Sequence, residues 1–168
     1  MLEYRALSPK QDWYFFTTDG VLEEQGLTEL SPLTESSSRE IWRTYFCANP
    51  SCHHPQLLPD SAWARKILAS ENTEYWQGDW YEQDDAAAIF PEWLCQTIKW
   101  PADTKIIFSY SAKYSVEATW EIFRNYWRNF LYEDEGPVLW SLQHSEAIRF
   151  MPNGWAYAGF RDAPMIAD

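Results

Sequence analysis

One stretch of the chain, residues 67–98, concentrates side chains that can bind cations. It lies between Lys66 and Lys99 and contains no Lys, Arg or His. Its carboxylates and aromatic rings are interleaved: Glu71, Glu74, Tyr75, Trp76, Asp79, Trp80, Tyr81, Glu82, Asp84, Asp85, Glu92 and Trp93. Uncompensated carboxylates attract cationic partners, and Trp and Tyr rings supply rigid contact area. The stretch therefore predicts a surface that binds a basic protein, with Trp76 and Trp80 as anchors.

A second acidic run, Glu133 to Glu135, lies in a turn and extends the same hypothesis. The predicted partner-binding residues are Trp76, Asp79, Trp80, Glu82, Asp84, Asp85, Glu133, Asp134 and Glu135. The basic partner could be an effector or toxin, or a DNA-binding protein whose ligand the carboxylates imitate. A plainer alternative stays open, in which the rings point inward and the acids only form a solvated exterior.

Acidic residues beside aromatic rings are also typical of carbohydrate-binding clefts. In a glycoside hydrolase, two carboxyl groups flank the bond that is cleaved. The candidates would be Asp79, Glu82, Asp84 or Asp85 facing Glu133 or Asp134. A small-ligand or carbohydrate site, possibly with hydrolase activity, is therefore the second hypothesis.

The run from Cys47 to His54 contains thiol and imidazole groups, the ligands that zinc prefers. Four residues separate Cys47 from Cys52, and His53 and His54 follow directly. A structural zinc site would need further ligands from distant parts of the chain, and no paired Cys or His occurs downstream. These four residues are weak metal candidates, and the sequence assigns no metal.

No residue pattern in the chain predicts a catalytic centre. Cys95 could meet His144, but its neighbours Leu94 and Ile98 predict a buried structural thiol. No Ser lies in a G-x-S-x-G motif, and the six Gly residues are too scattered to cradle a phosphate. The sequence therefore assigns no catalytic residue and no cofactor, and favours a non-enzymatic protein.

Charge and composition limit the partners and the compartment. The 168 residues carry a formal net charge of −12, which disfavours direct binding to nucleic acid or to an anionic membrane. No apolar run approaches the length of a membrane span, and the first residues lack the pattern of a secretory signal. Three Cys residues do not suit a disulfide framework and predict reduced thiols. We therefore expect a cytoplasmic protein.

Local patterns predict a single α+β domain over residues 1–168. The N-terminal half predicts strands at 2–6 and 13–16, a helix capped by Ser37 or Thr34 and ending near Phe46, and a loop over 48–60. A short helix is expected around 62–69, and a second begins at Pro91.

The C-terminal half is predicted to hold a strand, a long helix and a meander. Residues 105–110 read as a buried strand, and Ser115 caps a helix with one apolar stripe. Strands at 138–140, 147–151 and 155–160 follow, the last two joined at Asn153-Gly154. The expected architecture is central helices packed on a mixed or antiparallel sheet with a C-terminal β-meander.

The string Phe123-Arg124-Asn125-Tyr126-Trp127-Arg128-Asn129-Phe130-Leu131-Tyr132-Glu133-Asp134-Glu135-Gly136-Pro137 resembles the signature of a small proteobacterial family of unknown function. Leu33-Thr34 before Ile41-Trp42, and Trp76 followed by Asp84-Asp85, are similar too. The resemblance covers most of the chain, while the Cys47–His54 loop departs from the family. It implies a bacterial cytosolic origin and transfers no activity, cofactor or site residue.

Overall fold

A computed structural model describes residues 1–17, 24–82, 84 and 87–163 of the chain. In these ranges the strands are β1 (Ser31–Pro32), β2 (Thr73–Tyr75), β3 (Lys105–Ser111), β4 (Tyr114–Thr119), β5 (Val138–Trp140), β6 (Glu146–Phe150) and β7 (Trp155–Phe160). The α-helices are α1 (Glu24–Thr28), α2 (Glu35–Tyr45), α3 (Trp63–Lys66), α4 (Phe90–Thr97) and α5 (Trp120–Phe130). All strand pairs are antiparallel, so the α+β prediction is confirmed.

The seven strands form one sheet in the order β1-β4-β3-β5-β6-β7-β2. The last three strands of the chain are neighbours in the sheet, so the C-terminal meander is confirmed. The turn between β6 and β7 lies at Asn153-Gly154, as the sequence predicts. Gly154 has a φ of 90°, which an L residue with a side chain rarely adopts.

Helices cover both faces of this sheet. On β3, Ile106 and Phe108 belong to one buried cluster, whereas Ile107 between them belongs to another. Successive side chains of a strand point to opposite faces, so β3 is buried on both sides. The first cluster includes residues of α4 and α5, and the second includes residues of α2 and α3. The expected packing of helices on a sheet is thus present as three layers.

The helices α2, α3 and α4 agree closely with the sequence pattern. Of the two caps proposed for α2, Thr34 is the right one, because its hydroxyl accepts a hydrogen bond from the Ser37 N–H at 3.2 Å. The Ser37 hydroxyl instead accepts from the Glu3 N–H. The helix α4 has Pro91 in its first turn. No helix in the described part of the chain is long and apolar enough to cross a bilayer.

The start of α5 differs from the prediction. Ser115 was expected to cap this helix, but it lies within β4, and the cap is Thr119, whose hydroxyl accepts from the Ile122 N–H. Val116 pairs with Phe108 of β3. The β-branched residues that precede the helix therefore belong to the sheet and not to the first turn of the helix. Of the predicted apolar stripe, Trp120, Phe123, Trp127 and Phe130 are buried residues of α5, whereas its first member, Val116, is not on the helix.

Both strands predicted near the N terminus are wrong. Residues 2–6 form only one bridge, between Tyr4 and Leu33, since the neighbouring β1 is two residues long. Residues Trp13–Phe16 form a 3-10 helix. Phe15 is fully buried there, and its ring packs 5.0 Å from that of Phe130. Tertiary packing of the aromatic rings therefore overrides their local preference for a strand.

Arg149 on β6 is a buried cation that holds several loops together. It is 0% exposed, and its guanidinium donates to the carbonyls of Gly136, Ala64 and Pro55. Burial lowers the pKa of Arg149 to about 10, so the group remains protonated at neutral pH. The three carbonyls belong to segments that are distant in sequence, so one side chain ties them to the sheet.

We expect Arg149→Met to lower the free energy of unfolding by about 3 kcal/mol, because it leaves three carbonyls without their donor. Urea denaturation monitored by Trp fluorescence measures this loss. The matched control is Arg65→Met, a change at a side chain that is 42% exposed. Equal stabilities of the two variants would contradict the central role of Arg149.

The cysteines differ from the expectation of reduced, structural thiols. Cys47 and Cys52 form a disulfide that closes a short loop after α2. Trp42 packs beside this loop and donates its indole N–H to the Cys52 carbonyl at 2.7 Å. Cys95 is free and exposed, because α4 turns its apolar neighbours inward and leaves Cys95 on the outer side near Arg124.

Reduction by a dithiol should lower the free energy of unfolding by about 2 kcal/mol, since it releases a short closed loop in the unfolded chain. The Cys47→Ser/Cys52→Ser variant should lose the same amount, and Cys95→Ser should not. Thiol titration of the denatured, unreduced protein should find one free thiol per chain. Finding three would contradict the disulfide.

Candidate functional site

The run Glu133, Asp134 and Glu135 lies in the connection between α5 and β5, and we call it the acidic turn. The connection bends at Gly136, whose φ is 92° and whose N–H donates to the Asp134 carbonyl at 2.8 Å. A Cβ at Gly136 would lie 3.0 Å from the Arg149 guanidinium, which binds the Gly136 carbonyl. The acidic turn therefore has a fixed place over a buried anchor.

A cleft of about 520 Å³ opens beside the acidic turn, and we call it the tyrosine cleft. Its lining side chains come from five separate parts of the chain: Gln11, Tyr14, Glu35, His54, Tyr110, Ser111, Lys113, Tyr114, Glu133 and Glu135. The hairpin of β3 and β4 supplies one wall, and the acidic turn supplies another. Rings and titratable groups thus converge in one concave place, which is typical of a binding site.

Asp12 fixes one side of this cleft from below. It accepts two hydrogen bonds from the Arg5 guanidinium, one from the Ser8 N–H and one from the Tyr114 hydroxyl at 2.6 Å. Burial alone raises the pKa of Asp12, but these hydrogen bonds and the charge of Arg5 outweigh it and lower the pKa. Asp12 is therefore an ionised, fully bonded anchor that holds Tyr114 in place.

Three tyrosine rings form the wall of the cleft. Tyr110 lies 5.8 Å from Tyr14 and 5.0 Å from Tyr114 between ring centroids. The Tyr110 hydroxyl donates to the Phe130 carbonyl at 2.9 Å. Burial raises the pKa of Tyr110, and burial with the Asp12 hydrogen bond raises the pKa of Tyr114. Both phenols are therefore neutral at neutral pH and direct their protons to acceptors within the protein.

The carboxylates of the acidic turn repel one another. Partial burial raises the pKa of Glu133, and the charges of Glu135 and Asp134 raise it further. Partial burial and the charge of Glu135 likewise raise the pKa of Asp134. His54 lies 3.6 Å from Glu135, but burial lowers the pKa of His54, so its imidazole is neutral at neutral pH. Among the described residues, no Lys or Arg forms a salt bridge with the acidic turn.

Aromatic contacts join the acidic turn to the first acidic stretch. Tyr132, which directly precedes the turn, lies 5.7 Å from Trp13 and 5.2 Å from Trp80 between ring centroids. We call Trp13, Tyr132 and Trp80 the aromatic bridge. Trp13 is 46% exposed, and Trp80 and Tyr132 are partly buried. Trp80 and Glu133, both predicted partner-binding residues, thus lie on either side of Tyr132.

Two residues predicted for the surface belong to the interior instead. Trp76 is only 2% exposed and packs against Trp80, so it is part of the core and not an exposed anchor. Asp79 is 8% exposed, and its carboxylate accepts the Phe90 N–H at the start of α4 at 2.6 Å. Asp79 thus stabilises a helix start, a structural role that also removes it from the pair of carboxylates proposed for a hydrolase.

The other predicted residues of the first stretch remain near the surface. Glu82 is partly buried and its carboxylate accepts the Asp84 N–H, while Asp84 is exposed. Asp85 lies outside the described residues. Arg128 reaches over this segment, but its guanidinium donates to the main-chain carbonyls of residues 79, 80 and 82. Arg128 therefore holds this segment in place by binding the main-chain carbonyls of residues 79, 80 and 82.

Sequence reasoning found Glu133 and Glu135 but missed the tyrosines of the tyrosine cleft and the Asp12 network beneath them. The hydrogen bond between Asp12 and Tyr114 joins positions 102 residues apart, and no local pattern signals such a contact. The acidic turn was found because its residues are consecutive.

The four metal candidates do not assemble into a metal site. Cys47 and Cys52 are bonded to each other, His53 is exposed, and His54 lines the tyrosine cleft. In the described part of the chain, no group of three or more His, Cys, Asp or Glu side chains could hold a metal ion.

Comparison with known proteins shows which family the chain belongs to. A family model described as "Protein of unknown function (DUF2947)" matches residues 4–159. The chain belongs to this family. No curated protein and no solved structure shows a significant match. Membership confirms the resemblance to a family of unknown function, and the DUF2947 match spans the Asp12 network, the tyrosine cleft and the acidic turn.

We expect Asp12→Asn to lower the free energy of unfolding by about 2 kcal/mol at pH 7, because the charged acceptor of four hydrogen bonds is lost. The folded-state pKa of Asp12 is lowered, so its contribution is complete above the unfolded pKa of about 4 and disappears as the pH falls further. Denaturation of both proteins across pH 2–7 should show the two stabilities converging below about pH 4. Asp103→Asn, at an exposed carboxylate, is the control. A constant difference across the range would contradict the assignment.

Proposed function

We propose that this domain is a non-enzymatic binding protein that engages a basic partner protein through the acidic turn and the aromatic bridge. The observation that carries the proposal is the grouping of three carboxylates with which, among the described residues, no Lys or Arg forms a salt bridge; partial burial and neighbouring carboxylate charges raise the pKa of Glu133 and of Asp134. A cationic partner would relieve this repulsion and gain a favourable interaction at the same place. An immunity-like or regulatory role would suit such a protein.

The charge of the whole chain supports the same choice of partner. A formal net charge of −12 attracts cationic proteins over several ångströms and raises their association rate. Arg128 donates to the main-chain carbonyls of residues 79, 80 and 82, and among the described residues it forms no salt bridge with the acidic turn. The long-range field and the local surface thus favour the same class of ligand.

The aromatic bridge supplies contact area that electrostatics alone does not. Trp13 and Tyr132 are held by ring contacts with their neighbours, and Tyr81 beside Trp80 is 89% exposed. Rigid Trp and Tyr side chains dominate the binding energy of many interfaces because they lose little entropy on contact. Arginine side chains of a partner would also stack on these faces.

Binding is favoured over catalysis by the protonation states in the cleft. Tyr110 and Tyr114 have raised pKa values and are neutral, and Asp12 is fully occupied by hydrogen bonds. The second hypothesis, a small uncharged ligand such as a sugar, is supported only by the volume and rings of the tyrosine cleft. Salt separates the two, since screening weakens a charge-driven complex and barely affects ring stacking on a sugar.

The first test neutralises the acidic turn. We expect Glu133→Gln/Asp134→Asn/Glu135→Gln to bind a fluorescein-labelled oligolysine peptide about tenfold more weakly, with a flatter dependence on salt. Fluorescence anisotropy at 50–300 mM NaCl measures both. The control is Glu29→Gln/Glu40→Gln/Glu121→Gln, which changes the net charge equally at exposed positions elsewhere. Equal losses of peptide affinity in the two variants would show that only the net charge matters, and would overturn the proposed site.

The second test concerns the aromatic bridge. Trp13→Ala should weaken binding of an arginine-rich peptide by about fivefold with little change in stability, because Trp13 is half exposed. Trp155→Ala is a matched control, since Trp155 is 40% exposed and lies on β7. Trp76→Ala should instead cost about 3–5 kcal/mol of stability. Loss of binding in the Trp155 variant alone would place the docking surface elsewhere.

A further inference from the structure

We propose that the tyrosine cleft is a specificity pocket that receives one lysine or arginine side chain of the basic partner. The inference rests on the proposed function and adds a defined chemical class, a primary ammonium or guanidinium group on an aliphatic stem. It differs from surface attraction because it predicts saturable binding of a single amino-acid derivative at one place.

The shape of the cleft suits such a side chain. It offers about 520 Å³ beside a wall formed by the rings of Tyr14, Tyr110 and Tyr114. The methylene stem of Lys or Arg is apolar and packs well on ring faces, while its charged end prefers a polar surrounding. A cation close to a tyrosine face is also attracted by the ring itself.

The polarity of the cleft selects a donor rather than an acceptor. The hydroxyl protons of Tyr110 and Tyr114 are already directed to the Phe130 carbonyl and to Asp12. The Tyr114 oxygen can therefore offer a ligand only acceptor capacity, as do the Glu133 and Glu135 carboxylates. Lys and Arg carry several donors and no acceptor, so they complement this set. A phosphate or carboxylate would meet two like charges.

The chain itself places one Lys residue at the cleft. Lys113 lines the same cleft, next to Tyr114 and together with Glu133 and Glu135. Because Lys113 is exposed and lies in the turn between β3 and β4, an incoming cation can displace it. Lys113 would then compete with the ligand, and its removal should strengthen binding.

The test uses Nα-acetyl-lysine amide as the probe and its Nε-acetylated form as the uncharged control. Two-dimensional NMR titration of the full chain should give saturable shifts around Tyr14, Tyr114 and Glu133 with the charged probe only. Lys113→Ala should tighten binding about threefold, whereas Lys99→Ala, which makes the same charge change outside the cleft, should not. Weaker binding in the Lys113 variant would overturn the proposal.

A second pair of variants separates the pocket from the surface. Glu133 lines the cleft and Asp134 does not, although they are adjacent. Glu133→Gln should weaken binding of the lysine probe about fivefold and Asp134→Asn less than twofold, while both should weaken oligolysine binding. Salt-sensitive oligolysine binding without saturable binding of the lysine probe would refute the pocket and leave the proposed function standing. Loss of both would refute both.

Discussion

The guanidinium of Arg149 is the constraint on which the arrangement of this surface depends. A cation that is 0% exposed and has only carbonyl partners is costly to bury, and its lowered pKa records that cost. The three hydrogen bonds tie together Pro55, which follows His54, and Gly136, which follows Glu135. The two residues that meet across the rim of the tyrosine cleft are thus held by one buried side chain beneath them.

Local sequence signals specified most of the secondary structure but little of the site. The apolar stripe of α5, the proline that starts α4 and the Asn153-Gly154 turn each act within a few residues, so their patterns were readable. The strand predicted at residues 13–16 failed because Phe15 packs in the core against Phe130, a contact over more than a hundred positions. The disulfide was missed because residue types alone do not show whether two thiols meet.

In the candidate site, too, patterns of consecutive residues could be predicted from the sequence, and contacts between distant residues could not. The acidic turn was predicted correctly as a turn because its three residues are consecutive, but Glu133 and Asp134 are partly buried and its function stays a proposal. Trp76 and Trp80 looked equivalent in the sequence, yet one is core and the other touches Tyr132 near the surface. Their different places depend on packing against α5, which no spacing rule encodes. The cleft is built wholly from such distant contacts.

The acidic turn does not stabilise the folded state, and the proposed binding of a cationic partner would account for its composition. An acid whose pKa is raised in the folded state destabilises that state at neutral pH, because ionisation is less favourable there than in the unfolded chain. Asp12 shows the opposite arrangement in the same cleft, with a lowered pKa and every acceptor position used. Asp12 therefore stabilises the walls of the cleft, whereas the ionised acids of the acidic turn lower the stability of the folded state. Costs of this kind concentrate at functional sites, where a ligand of opposite charge removes them.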